Sequence, residues 1–171
     1  MTLIILITLI LVFRCLVAVA DVKTNKVEPI VSGKKGFKEL QAALLEQSGQ
    51  AVWGVIKVHS VDNTGAVTAK RDKFVALCCV GSNVTEMSRG YFNFQKQKVH
   101  QYWGSTAVVL DLHGQRLNST FSERIVAQQL LTAGAAHKPT EYDFGGNCIV
   151  KVNTLSNGDD QSDEESDADF D

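Results

Sequence analysis

The residues of this chain best suited to nucleophilic, acid–base or metal chemistry are four histidines and four cysteines, and their spacing argues against all three uses. His59, His100, His113 and His137 are widely separated, and no two stand at i, i+4, where they would share a helix face as metal ligands do. Cys15, Cys78, Cys79 and Cys148 lack the CxxC spacing of a zinc or redox site. Cys78-Cys79 falls inside an apolar strand pattern, where successive side chains point to opposite faces, so the pair reads as buried thiols of a reduced compartment. No GxSxG, HExxH, DxDxDG or GxGxxG is present, and Lys34-Lys35 between glycines is not the GxxxxGKS/T of a phosphate loop. The expectation is a non-enzymatic binding module with no metal and no cofactor.

What remains is ionic chemistry. The formal net charge is −2, but of the 19 acidic residues eight lie between Asp159 and Asp171, where there is no base. The other eleven stand against 17 Lys+Arg in residues 1–158, a body of charge +6. Such a body suits an acidic partner, and charge by itself does not choose between nucleic acid, a membrane surface and an acidic protein polymer. Its densest basic run is Lys70-Arg71-Asp72-Lys73.

The elements that must position this run lie between Ala51 and Gly104. Ala51 to Val61 alternates with the period of a strand, Asp62-Asn63-Thr64-Gly65 is turn chemistry, and Phe74 to Val80 is a short apolar strand, which together predict an antiparallel hairpin. Asn83 with Glu86 reads as a capping box opening a long helix that stops at Gly104. Val84, Met87, Tyr91, Phe94 and Lys98 fall at helical spacing, continued by Val99 and Trp103, and this stripe is expected to face the core, leaving Arg89, Lys96, Lys98 and His100 outward. Before the hairpin, Cys15 to Val22 and Val27 to Val31 read as strands, the second an edge because of Pro29, and Phe37 to Gln47 as an amphipathic helix. After the long helix come a buried strand at Ala107 to Leu112 and a helix at Phe121 to Ala133, opened by a capping box of Thr120 and Glu123. The sequons at Asn83 and Asn118 coincide with helix starts and read as caps. Residues 135–155 carry no assignment beyond a short strand or docking segment around Ile149, Val150 and Val152. The order β–β–α–β–β–α–β–α predicts an α/β sandwich, a mixed sheet with helices on its faces.

Three segments organise the chain: residues 1–14 as an apolar extension, residues 15–155 as one domain, and residues 156–171 as an acidic tail expected to be disordered, with Ser162 and Ser166 as candidate phosphorylation sites. Leu3 to Phe13 is unbroken apolar sequence that Arg14 interrupts, too short for a comfortable membrane span. Ala18-Val19-Ala20 has the small-x-small form of a signal-peptidase site. Three readings stay open here: an extension preceding a buried strand, a signal segment, and a wrongly assigned start.

Lys70-Arg71-Asp72-Lys73-Phe74-Val75-Ala76-Leu77, followed by Val80-Gly81-Ser82-Asn83-Val84, resembles the coactosin branch of the ADF/cofilin-homology (ADF-H) family. Ala51 to Val58, Lys26 to Gly33 and the ending of the helix Phe121 to Ala136 agree with it, so the resemblance covers about residues 15–143. It implies an α/β (α+β) sandwich, a five-stranded mixed sheet flanked by helices of the ADF-H/gelsolin-like kind. It also implies a cytoplasmic, cytoskeletal protein that binds actin filaments as a monomer, without catalysis, cofactor or nucleic acid. The family's filament contacts carry over to Lys70, Arg71 and Lys73, with Lys73 foremost, and on the long helix to Arg89, Lys96, Lys98 and Met87. The alternatives are a secreted or membrane-tethered ADF-H-like protein, and an adaptor domain that has lost actin binding. Three features depart from the family: Leu3 to Phe13 is apolar all round where an amphipathic helix is expected, Gly90 to Gln95 is more aromatic and less basic, and the acidic tail is an addition whose charge complements the basic hairpin.

Overall fold

The computed structural model describes residues 13–21, 26–47, 49–64, 66–103, 106–113, 121–134 and 138–155. The apolar run before Phe13, with the readings open for it, and the acidic tail from residue 156 lie outside the described residues.

A mixed sheet forms the middle layer. Strands β1 (Cys15–Asp21), β2 (Lys26–Gly33), β3 (Ala51–Asp62), β4 (Ala69–Val80) and β5 (Val108–His113) follow the order β2-β1-β3-β4-β5. Neighbours are antiparallel except β4 and β5, which run parallel with helix α2 (Glu86–Trp103) between them in sequence. This is the expected five-strand frame, and it is extended. A hairpin of β6 (Glu141–Gly145) and β7 (Cys148–Lys151) joins through β6 to the far end of β3 and brings the sheet to seven strands.

β3 is central because its residues tolerate burial on both faces: Val52, Trp53, Val55, Ile56 and Val58 are each no more than 1% exposed. β2 lies at the edge, where Pro29 is tolerated, and its register with β1 slips between Val17 and Ala18 so that Ile30 is left over in a bulge. β5 was expected to be buried. It is the opposite edge instead, with alternating half-exposed and exposed residues up to Asp111.

Helices α1 (Phe37–Glu46) and α3 (Glu123–Ala133) cover one face of the sheet. Phe37, Leu40, Ala43 and Leu44 of α1 and Val126, Ala127 and Leu130 of α3 are buried there, and Phe37 packs against Phe121 and Phe144 with ring centroids 4.6 and 5.7 Å apart. Gly36, at φ 87°, opens α1, and a Cβ at this position would collide with the carbonyl oxygen of Phe144. Ser122 caps α3, its hydroxyl accepting from the Ile125 N–H at 3.4 Å, so the helix starts two residues later than expected.

Helix α2 covers the other face, with Phe92 stacked on Trp53 at 4.0 Å and 20°. Two expectations about it are corrected. Its cap is Thr85, whose hydroxyl accepts from the Ser88 N–H at 3.3 Å, with Glu86 as the first helical residue. Its buried stripe is Phe92, Gln95 and Val99, while Met87, Tyr91 and Phe94 are 75, 48 and 73% exposed. Val99 is buried as expected, while Phe92 and Gln95 take the places expected for Tyr91 and Phe94, a displacement of one residue or about 100° around the helix. The polar Gln95 hides this stripe from a hydrophobicity pattern.

Candidate partner-binding surfaces

β4 begins five residues earlier than the apolar run predicts, so Lys70, Arg71, Asp72 and Lys73 are themselves strand residues. Strand alternation then divides them between the two faces. Arg71 and Lys73 stand on the α1/α3 face, opposite Ser60 and Val58 of β3 and in line with buried Val75, Leu77 and Cys79. With Lys138, Pro139, Tyr142 and the end of α3 at Leu130 and Gly134, they line a shallow cleft of about 50 Å³. Asp62 also lines it, but its Oδ1 accepts from the Thr64 N–H and hydroxyl at 3.1 and 2.6 Å. Among the described residues, Arg71, Lys73 and Lys138 take part in no salt bridge.

Lys70 lies on the α2 side of the sheet and is already engaged. Its Nζ is 3.9 Å from Oδ2 of Asp143, whose two oxygens also accept from Arg14 Nη1 and Nη2 at 3.1 and 3.0 Å. The Arg14 guanidinium holds the Asp143 carboxyl below the usual carboxylate range, burial opposes this, and the Gly145 N–H at 2.8 Å assists. Next to this group, His59 Nδ1 is 2.6 Å from Asp72 Oδ1. The basic run therefore does not act as a single patch. Two of its cations face the cleft, and the third belongs to a network that fastens β6 to the start of β1.

The long-helix residues form a separate surface. β5 runs parallel to β4 and starts where the Ala107 N–H donates to the Phe74 carbonyl at 2.7 Å, so α2 must run back along β4 from its Val80 end. Met87 and Arg89, in the first turn of α2, are therefore at the opposite end of β4 from Arg71 and Lys73, and both are solvent-exposed. Lys96 is not free to reach a partner: its Nζ is 2.6 Å from each oxygen of Asp111 on β5. Burial works against the charge of Asp111, but the Lys96 ammonium outweighs it and leaves the carboxyl below its ordinary range. The side chain of Lys98 lies outside the described residues. The sequence reading missed an exposed apolar patch of Met87, Gly90, Tyr91 and Phe94, because it assigned Met87, Tyr91 and Phe94 to the core. The i, i+3, i+4, i+7 spacing was visible, and only the choice of stripe was wrong.

Elsewhere the chemistry is quiet. Cys78 and Cys79 point to opposite faces as expected, and burial pushes Cys15 up to about 11, Cys78 up to about 12 and Cys79 higher still. Among the described residues no three or more His, Cys, Asp or Glu converge on a metal-sized site, and no helix is long and apolar enough to cross a membrane.

Solved structures with this architecture are similar to the chain over most of its length. Coactosin from Entamoeba histolytica matches 72% of this chain and 84% of its own, at 20% identity and a TM-score of 0.58. Cofilin from Streptomyces griseoflavus matches 74% of this chain and 92% of its own, at 10% identity and a TM-score of 0.55. Mouse coactosin, described as an actin filament binding protein, matches 72% and 79%, at 16% identity and a TM-score of 0.50. No family model and no curated relative matches the chain. The fold is a coactosin-like ADF-H fold.

Proposed function

We propose that this coactosin-like ADF-H fold, residues 15–155, is a non-enzymatic actin-filament-binding regulator of the cytoskeleton that acts in the cytoplasm as a monomer. The observation that carries the reading is the pair Arg71 and Lys73, side by side on one face of β4 and without acidic partners among the described residues, on a fold shared with an actin filament binding protein. Long basic side chains of this kind steer encounter with an acidic polymer and form rim pairs with it. Arg89 and Met87 on α2, with Tyr91 and Phe94 beside them, supply a second contact that combines a cation with apolar area. Lys70, Lys96 and Lys98 keep a secondary part in this reading, the first two because they are held by Asp143 and Asp111.

High-speed co-sedimentation of the full chain with actin filaments across a salt series tests the proposal. Pelleting should weaken as salt rises, and Arg71→Ala and Lys73→Ala should each weaken it about three- to tenfold. A folded chain that stays in the supernatant at low salt would defeat it.

A further inference from the structure

We infer that the acidic tail, residues 156–171, docks in the Arg71–Lys73–Lys138 cleft and competes there with an acidic partner. The competition rests on the filament-binding reading above, whereas the docking does not. The cleft has an excess of positive charge, with three cations against Asp62, whose carboxylate already caps the Thr64 turn. The tail has the complementary charge, eight acids and no base from Asp159 onward.

The described chain also ends on the cleft's side of the sheet. Val152 donates its N–H to the Thr140 carbonyl at 3.0 Å, and the Thr140 N–H and hydroxyl bond to the Val61 carbonyl at 2.9 and 3.0 Å. Thr140 follows Lys138 and Pro139 on the cleft wall, and Val61 lies between Ser60 and Asp62, which also line the cleft. Leu155, 4% exposed, is buried in the same core cluster as Val58, Val75 and Tyr142, on the side of the sheet to which Arg71 and Lys73 point. The tail therefore leaves the body on the cleft's own face. At about 3.3 Å per residue, Asp159 reaches about 13 Å from Leu155 and the last residue about 50 Å, so the acids can lie over the cleft without strain. Tethering at this range corresponds to an effective concentration on the order of millimolar, enough for weak ionic contacts to be populated at low salt.

The test compares the full chain with a full-length variant in which the eight acids of residues 159–171 are replaced by Asn or Gln. Two-dimensional amide NMR at low salt should show shifts between the two proteins at residues 71, 73 and 138, and these should vanish in about 0.5 M salt, where the Debye length is about 4 Å. Filament co-sedimentation at low salt should be about two- to tenfold stronger for the neutral-tail variant. Identical cleft resonances in the two proteins would overturn the docking, even if both pellet with filaments. Cleft shifts with no pelleting by either protein would support the docking and count against the filament reading. Cleft shifts with equal pelleting would uphold the docking and overturn the competition.

Discussion

Arg14 and Asp143, 129 positions apart in the chain, meet in a two-pronged ion pair, Nη1 to Oδ1 at 3.1 Å and Nη2 to Oδ2 at 3.0 Å. The pair ties the residue just before β1 to β6, so the two ends of the described chain are closed onto one another through β3, which pairs with both strands. Charge-assisted bonds of this geometry are stronger than neutral ones because both oxygens and both nitrogens are satisfied at once.

Replacing Arg14 with Met should cost about 1–2 kcal/mol at pH 7 in urea unfolding. The folded-state pKa of Asp143 is depressed, so the pair's contribution is complete above the unfolded carboxylate pKa of about 3.9 and is lost as pH falls through the folded value. The stability gap between the natural chain and Arg14→Met should therefore narrow progressively below about pH 4. A gap that persists unchanged at pH 3 would mean that Arg14 stabilises by packing its stem rather than by its charge.

Trp53 is fully buried under Phe92, and among the described side chains of α2 the others that are buried are Gln95 and Val99. Phe92→Ala should cost about 3 kcal/mol. In a Trp103→Phe background, where emission reports Trp53 alone, the same change should move the emission maximum to the red as water reaches the indole. Tyr91→Ala, one position along, should leave both readings nearly unchanged, since Tyr91 faces solvent.

The Lys96–Asp111 pair is short but mostly wet, with side chains 33 and 49% exposed. Lys96→Ala should change stability by less than about 1 kcal/mol. In filament co-sedimentation it should matter less than Arg89→Ala, because Lys96 must leave Asp111 before it can serve a partner. A larger loss for Lys96→Ala would show that the Asp111 pair opens on binding.

The four cysteines should resist alkylation in the native chain. With burial pushing Cys15 and Cys148 up to about 11, about one thiol in a thousand is thiolate at pH 8, against about one in four for an ordinary cysteine. Iodoacetamide should modify all four only after unfolding, with half-buried Cys148 the first to react natively. Rapid native modification of Cys78 or Cys79 would contradict the packing of β4.

Much of the fold is legible in the residues because burial and period agree along β1, β3, β4 and α1, where Val, Ile, Leu and Trp occupy the core positions. The misreadings have local causes. β6 was overlooked because the alternation of Glu141-Tyr142-Asp143-Phe144 is only four residues long, although Gly145-Gly146-Asn147, all at positive φ, is a hairpin turn in plain view. The α2 stripe was misjudged because the more apolar of two neighbouring stripes, Met87, Tyr91 and Phe94, faces solvent, and Trp53, distant in sequence, draws Phe92 into the core instead. For the candidate site, the basic run was visible as composition, but its division between faces was not, since that depends on β4 starting at Ala69 rather than at Phe74.

That division makes the spacing between the basic run and the buried end of β4 a determinant of surface charge. Side chains along β4 alternate, and Val75, Leu77 and Cys79 are fixed in the core. Inserting or deleting one residue between Lys73 and Val75 would therefore exchange the two sets, whereas a change before Lys70 would be absorbed in the turn. Lys70 and Asp72 would then face the cleft in place of Arg71 and Lys73, and β4's contribution to it would fall from two positive charges to none. In lineages that keep this surface, the turn between Asp62 and Ala69 should accept substitutions and length changes, while the stretch from Arg71 to Val75 should keep its length.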